Sequence, residues 1–142
     1  MAMEWKEIYS CRIPDIDNQH KRLFEIGNQL YTLALKTDVE QKSQKVNAIM
    51  SELQAYTIYH FEFEEKLIAN FGYPDVEKHR MEHQKFITAL SEMEVNALKS
   101  GSDDMILKLI MFVSEWISNH IVISDMKYVK FYEIKKDLKT DN

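Results

Sequence analysis

Breakers of regular structure are so sparse in this chain that their positions alone lay out its fold. Three glycines and two prolines are spread over 142 residues, and Leu, Ile, Lys, Glu and Met are plentiful between them. Pro14 to Asp17 precedes the first periodic stretch. Thr37-Asp38 interrupts it, and Asp38 with Gln41 three residues on has the form of a capping box. Phe71-Gly72-Tyr73-Pro74-Asp75 reads as a turn, with glycine as stop and proline as restart. Ser100-Gly101-Ser102-Asp103 is a second glycine stop followed by good N-caps. Four segments of helical length remain, roughly 17–36, 39–70, 75–99 and 103–124. A tail over 126–142 holds Tyr128, Val129, Phe131, Tyr132 and Ile134, and is expected to pack before it frays.

Each segment carries one apolar stripe at helical spacing. The first runs His20, Leu23, Phe24, Gly27, Leu30, Tyr31, Ala34. The second runs Val46, Ile49, Met50, Leu53, Tyr56, Thr57, His60, Glu64, Leu67, Ile68. The third runs Val76, His79, His83, Phe86, Ile87, Leu90, and the fourth Ile106, Leu109, Val113, Trp116, Ile117, His120, Ile121. Four amphipathic helices joined by short turns predict an all-α, antiparallel up-down-up-down four-helix bundle, one domain over 1–142. Gly27 reads as a close approach between helices.

Charge and apolar content exclude several classes. A net charge of −5 opposes nucleic acid as a partner, since phosphate neutralisation needs a basic face. With no run of about 18 apolar residues, no membrane span is expected, and Met1 to Ser10 lacks a secretory core. Cys11 is the lone cysteine, which rules out an internal disulfide and a CxxC pair. It reads as a tolerated thiol away from any ligand, able at most to link two chains under oxidation. Cytoplasm is the expected compartment. Lys135-Lys136 reads as a solvated face.

The histidines are the anomaly. All five lie on apolar stripes, and Glu64 joins them there, although a buried carboxylate costs several kcal/mol, roughly, unless something pairs with it. Glu64 follows His60 by one turn, and His83 follows His79 by one turn, so each pair shares a helix face. Starts of odd helices and ends of even helices meet at one end of an up-down-up-down bundle. His20, His60, His79, His83, His120 and Glu64 therefore converge on one layer, as metal ligands do. Five imidazoles exceed the needs of one ordinary metal position. A set of imidazole and carboxylate without thiolate suits iron above manganese, zinc or copper. Glu64 can bridge two metals, and Asp125 is the candidate second bridge. Five residues after His120 is not a same-face spacing in a straight helix, so the helix must end or distort there. With three histidines on one iron, two on the other, two carboxylate bridges and one solvent-derived oxygen, one iron is closed and the other keeps an open position.

These residues resemble the hemerythrin family, specifically its stand-alone bacterial members. The likeness rests on Ile16-Asp17-Asn18-Gln19-His20-Lys21-Arg22-Leu23-Phe24, His60-Phe61-Glu62-Phe63-Glu64-Glu65, and Gly72-Tyr73-Pro74 followed by His79-Arg80-Met81-Glu82-His83. It closes with His120-Ile121-Val122-Ile123-Ser124-Asp125. The resemblance implies a hydroxo- or oxo-bridged pair of irons: His79, His83 and His120 on one, His20 and His60 on the other, Glu64 and Asp125 bridging. It also implies reversible O2 binding at the open iron, within an apolar wall of Leu23, Phe61, Trp116, Ile117 and Ile121. A binding protein for O2, not an enzyme, is the reading carried forward. The alternatives are a di-iron redox enzyme (oxidase, peroxidase or nitric-oxide handling) and a sensor acting through another chain. Ferritin-like bundles, which use Glu-x-x-His, are disfavoured because the chain has none.

Overall fold

The computed structural model describes residues 3–36 and 40–140, with the side chains of 138–140 left aside. The order is a 3-10 turn at Glu7–Tyr9, then α1 (Pro14–Leu35), α2 (Lys42–Asn70), α3 (Val76–Ser100) and α4 (Asp103–His120). A π turn (Ile121–Asp125) leads without a break into α5 (Met126–Thr140). No strand occurs among the described residues. Each of α1 to α4 packs on the next, and α1 packs on α4 to close the ring, which is the four-helix bundle read from the stripes.

The helix ends follow local chemistry. Proline at N1 costs no hydrogen bond and its fixed φ suits the first turn, so α1 starts at Pro14, three residues earlier than expected. Helix α2 begins later than expected, at Lys42, behind Gln41 in a left-handed conformation; Asp38, the proposed cap, lies outside the described residues. Gly101 ends α3 at φ 60, and the Ser102 side chain accepts from the Met105 N–H to start α4. Lys42 Nζ donates to the carbonyls of Ala34 and Lys36 and pairs with Asp103, tying the end of α1 to the starts of α2 and α4. Lys135 Nζ donates to the Phe71 carbonyl at 2.5 Å. Lys135 therefore satisfies the C-terminus of α2, which corrects its reading as a merely solvated residue.

Two apolar clusters divide the interior. One gathers Leu23, Leu30, Met50, Leu53, Phe86, Leu90, Leu109 and Val113; the other gathers Cys11, Ile16, Ile68, Tyr73, Tyr128 and Val129. Along α1 the change from one to the other falls at His20, along α2 at His60 and Glu64, and along α4 into α5 at His120 and Asp125. A polar layer thus lies between two dry ones. Truncating a fully buried member such as Leu53 or Leu109 to alanine would cost about 2–5 kcal/mol.

One expectation needs correction. Gly27 makes room not for a helix but for the N-terminal segment: a Cβ there would collide with the Met3 side chain. The run Asp103–Asp137 has an 18-residue window of mean hydropathy 1.5, enough by length and composition to cross a membrane. It is not an unbroken apolar run, since Lys108 and Glu115 interrupt it, and 39% of that window is buried inside the bundle.

Candidate metal centre

The bundle delivers the predicted residues to one place. His20 sits in the second turn of α1, His60 and Glu64 one turn apart near the end of α2, and His79 and His83 in the first turns of α3. His120 closes α4, and the π turn carries Asp125. In a straight α-helix a residue five positions on points about 140° away. The wider π turn brings it back over its starting point, so Asp125 Oδ1 lies 3.2 Å from His120 Nε2. All seven residues are buried, with Glu64 and Asp125 at 0% exposure.

Each carboxylate faces two ways. Glu64 Oε1 lies 2.7 Å from His79 Nε2 and 3.2 Å from His83 Nε2. Its Oε2 lies 3.5 Å from His60 Nε2 and 3.9 Å from His20 Nε2. Asp125 Oδ1 lies 3.2 Å from both His79 and His120 Nε2, while Oδ2 lies 3.3 Å from His20 Nε2. The side chains thus sort into a group of three histidines and a group of two, with one oxygen of each carboxylate on each side.

The donor set fits a cation. Both Asp125 oxygens and His20 Nδ1 are buried without a hydrogen bond: the nearby ring nitrogens come close to Asp125 but are misaligned for donation. His83 and His120 bring their Nε2 atoms within 3.0 Å of each other, although two ring nitrogens gain nothing from meeting unless a proton or a metal lies between them. Burial pushes His60 down to about 3. Burial also pulls on His79, but Asp125 and Glu64 outweigh it and hold this ring up at about 10. Burial and, for Glu64, repulsion from Asp125 would raise the two carboxylates; contacts with the histidines prevail and keep both below their ordinary range. Without metal, protons supply the positive charge that the two carboxylates require.

Several partners had not been anticipated. Gln19 Oε1 lies 2.7 Å from His60 Nδ1 and Glu65 Oε2 3.0 Å from His83 Nδ1. Glu82 Oε2 lies 3.3 Å from His120 Nδ1 and accepts from Ser124 Oγ at 2.6 Å. The hydrogen-bond acceptors at Nδ1 of His60 and His83 place the ring proton there and leave the Nε2 lone pair facing the centre, and the Glu82 carboxylate beside His120 Nδ1 favours the same tautomer. The Tyr128 hydroxyl, from the segment read only as a packed tail, donates to Glu64 Oε2 at 3.0 Å. The signal for the first three was adjacency, since each stands beside a predicted ligand in the chain. Cys11 is 1% exposed, out of reach of a second chain, and lies in one group with Asp17 and His20, ligand-type atoms within 4.8 Å. Burial pushes its thiol well above the usual range.

The five apolar residues expected around the ligand lie together. Phe61 stacks on His83 at 3.7 Å and Trp116 on His120 at 4.4 Å. Leu23, Phe61, Ile117 and Ile121 are buried in the larger cluster, with Trp116 half-buried against it.

Fold and site define a class: a helical bundle whose buried histidines and carboxylates can hold metal. The family described as "Hemerythrin HHE cation binding domain" matches residues 11–132. This chain belongs to the hemerythrin family. It is 34% identical over 125 residues to a bacteriohemerythrin of Clostridium acetobutylicum, covering 88% of this chain and 97% of the relative. A bacteriohemerythrin of Pseudomonas aeruginosa is 34% identical over 127 residues, 88% of this chain and 78% of the relative. One from Campylobacter jejuni subsp. jejuni is 34% identical over 130 residues, 92% and 95%.

Proposed function

We propose that this chain is a single-domain protein that holds two irons and binds O2 reversibly between its apolar walls. The observation that carries the reading is the split of each carboxylate between the two histidine groups. His79, His83 and His120 would hold one iron and His20 and His60 the other, with Glu64 and Asp125 shared. Nitrogen and oxygen donors without thiolate suit iron. When bound, the irons supply the reversible redox chemistry that O2 capture needs.

The chain's own residues shape that chemistry. Gln19, Glu65 and Glu82 fix the ring orientations, so that the Nε2 lone pairs face inward before metal arrives. Tyr128 steadies the shared carboxylate of Glu64. Leu23, Phe61, Ile117 and Ile121 keep water, and therefore protons, from the ligand's side. Exclusion of protons favours release of O2 over its reduction, which is binding rather than turnover.

Metal analysis and absorption spectra test this. Protein from iron-sufficient cells should carry two irons per chain. Its reduced form should gain a visible absorption band in air and lose it under vacuum, with most of the centre still reduced. One metal per chain, or zinc in preference to iron, would overturn the two-iron reading. Stoichiometric peroxide released in a single pass would replace the binding reading with an oxidase.

A further inference from the structure

The outer partners of the ligands follow a rotation around the bundle. Gln19 of α1 backs His60 of α2, Glu65 of α2 backs His83 of α3, and Glu82 of α3 backs His120 of α4. Each stands next to a metal-facing residue of its own helix: His20, Glu64 or His83. One residue step turns a side chain by about 100°, so a neighbour of an inward-facing residue leans toward the adjacent helix. The chemistry of the three is unequal. The group of three histidines has two carboxylates behind it, whereas the group of two has a neutral amide behind His60 and no hydrogen bond on His20 Nδ1.

A carboxylate behind an imidazole differs from an amide in two ways. It draws the Nδ1 proton toward itself and so strengthens the donor lone pair on Nε2. It also places a negative charge one ring's width from the metal position, in part balanced by Arg80 at Glu65; the Glu65 side chain is 16% exposed and that of Glu82 34%. Resting on the two-iron reading above, we infer that Glu65 and Glu82 are positioning residues that make the three-histidine position the tighter of the two, first to fill and last to empty. Arg80 holds the other Glu65 oxygen at 2.9 Å, and Ser124 holds Glu82, so both carboxylates are fixed against their rings.

The test is an anaerobic titration of the full-length, metal-free chain with cobalt(II) chloride, followed by calorimetry and by the visible absorption of bound cobalt. The parent should take up two equivalents in two steps, one tighter. Glutamine keeps a hydrogen-bond acceptor and removes the charge, so Glu65→Gln and Glu82→Gln should each weaken the tighter step by about 10-fold or more, within the usual 10–100-fold range for such partners. The weaker step should stay as it was. Glu65→Ala should weaken the tight step further, and Gln19→Glu should strengthen the weaker one. Glu62→Gln, on an exposed position of α2, should change neither. Parent-like binding in both Glu65→Gln and Glu82→Gln, or an equal loss in both steps, would overturn the inference while two-metal binding stands. Two indistinguishable steps in the parent would overturn it as well. Uptake of a single equivalent by the parent would remove the two-metal reading, and this inference with it.

Discussion

Replacing Tyr128 with phenylalanine deletes one oxygen from a place that no water reaches. Tyr128 and Glu64 are both 0% exposed, and the hydroxyl donates to Glu64 Oε2 at 3.0 Å. Phenylalanine preserves the ring, with its contacts to Phe71, Tyr73 and His79, so the lost packing is small. What disappears is a donor to an ionised acceptor that burial prevents from turning to solvent. Hydrogen bonds to charged groups contribute about 1.5–3 kcal/mol. At roughly 2–4 °C per kcal/mol for a chain of this size, the metal-free variant should melt about 3–12 °C below the parent. Bound metal would hold Glu64 by other means, so the gap should narrow in the loaded protein. Thermal unfolding followed by circular dichroism, with and without chelator, measures both. In a Glu64→Gln background the same change should cost less, about 0.5–1.5 kcal/mol, because the acceptor is neutral. Metal-free parent and Tyr128→Phe melting within about 1 °C of each other would refute the claim that this hydroxyl steadies the shared carboxylate.

On the two-iron proposal, Glu64→Ala and Asp125→Ala should each weaken retention of both metals, while His20→Ala should loosen chiefly one; metal content after gel filtration distinguishes them. Stability of the metal-free protein should peak near neutral pH. His79, raised from 6.5 to about 10, contributes stability that is full below about 6.5 and is lost as pH rises through 10. His60, lowered from 6.5 to about 3, acts in the opposite sense and withdraws stability as pH falls below 6.5. Glu64 and Asp125, both lowered, withdraw more as pH falls below the carboxylate range; melting temperatures across the pH range would check all three slopes. Ile117→Glu puts a charge at a position 4% exposed. It should speed decay to the oxidised form, read as the fraction of reduced centre recovered after one oxygenation cycle.

The stripes were legible because breakers are rare and each helix hides one face, and the shared level of the five histidines followed from chain direction alone. Asp125 was legible only conditionally. A five-residue spacing points away in an α-helix, and no local propensity in Ile-Val-Ile-Ser announces a π turn, which depends on what the helix packs against. Gln19, Glu65 and Glu82 escaped for a related reason. They lie off the stripes, where a polar residue usually means solvent, and their partners belong to a different helix. Tyr128 looked like ordinary aromatic packing because its ring does pack; only the hydroxyl has a second task. The role of Met3 at Gly27 was hidden because a glycine reports that something comes close, not what comes close.

The widened turn at Ile121–Asp125 also sets a phase. Were it to tighten to α-helix with no residue lost, everything beyond it would swing by about 100°, one residue's step around the axis. Asp125 would leave the cluster and Tyr128 would leave Glu64 in the same movement, because both ride on the one rod that runs through Asp137. The angular setting of α5 is therefore geared to the centre. Its outer surface, including Ile134 at 62% exposure, can face its present direction only while Asp125 is turned inward.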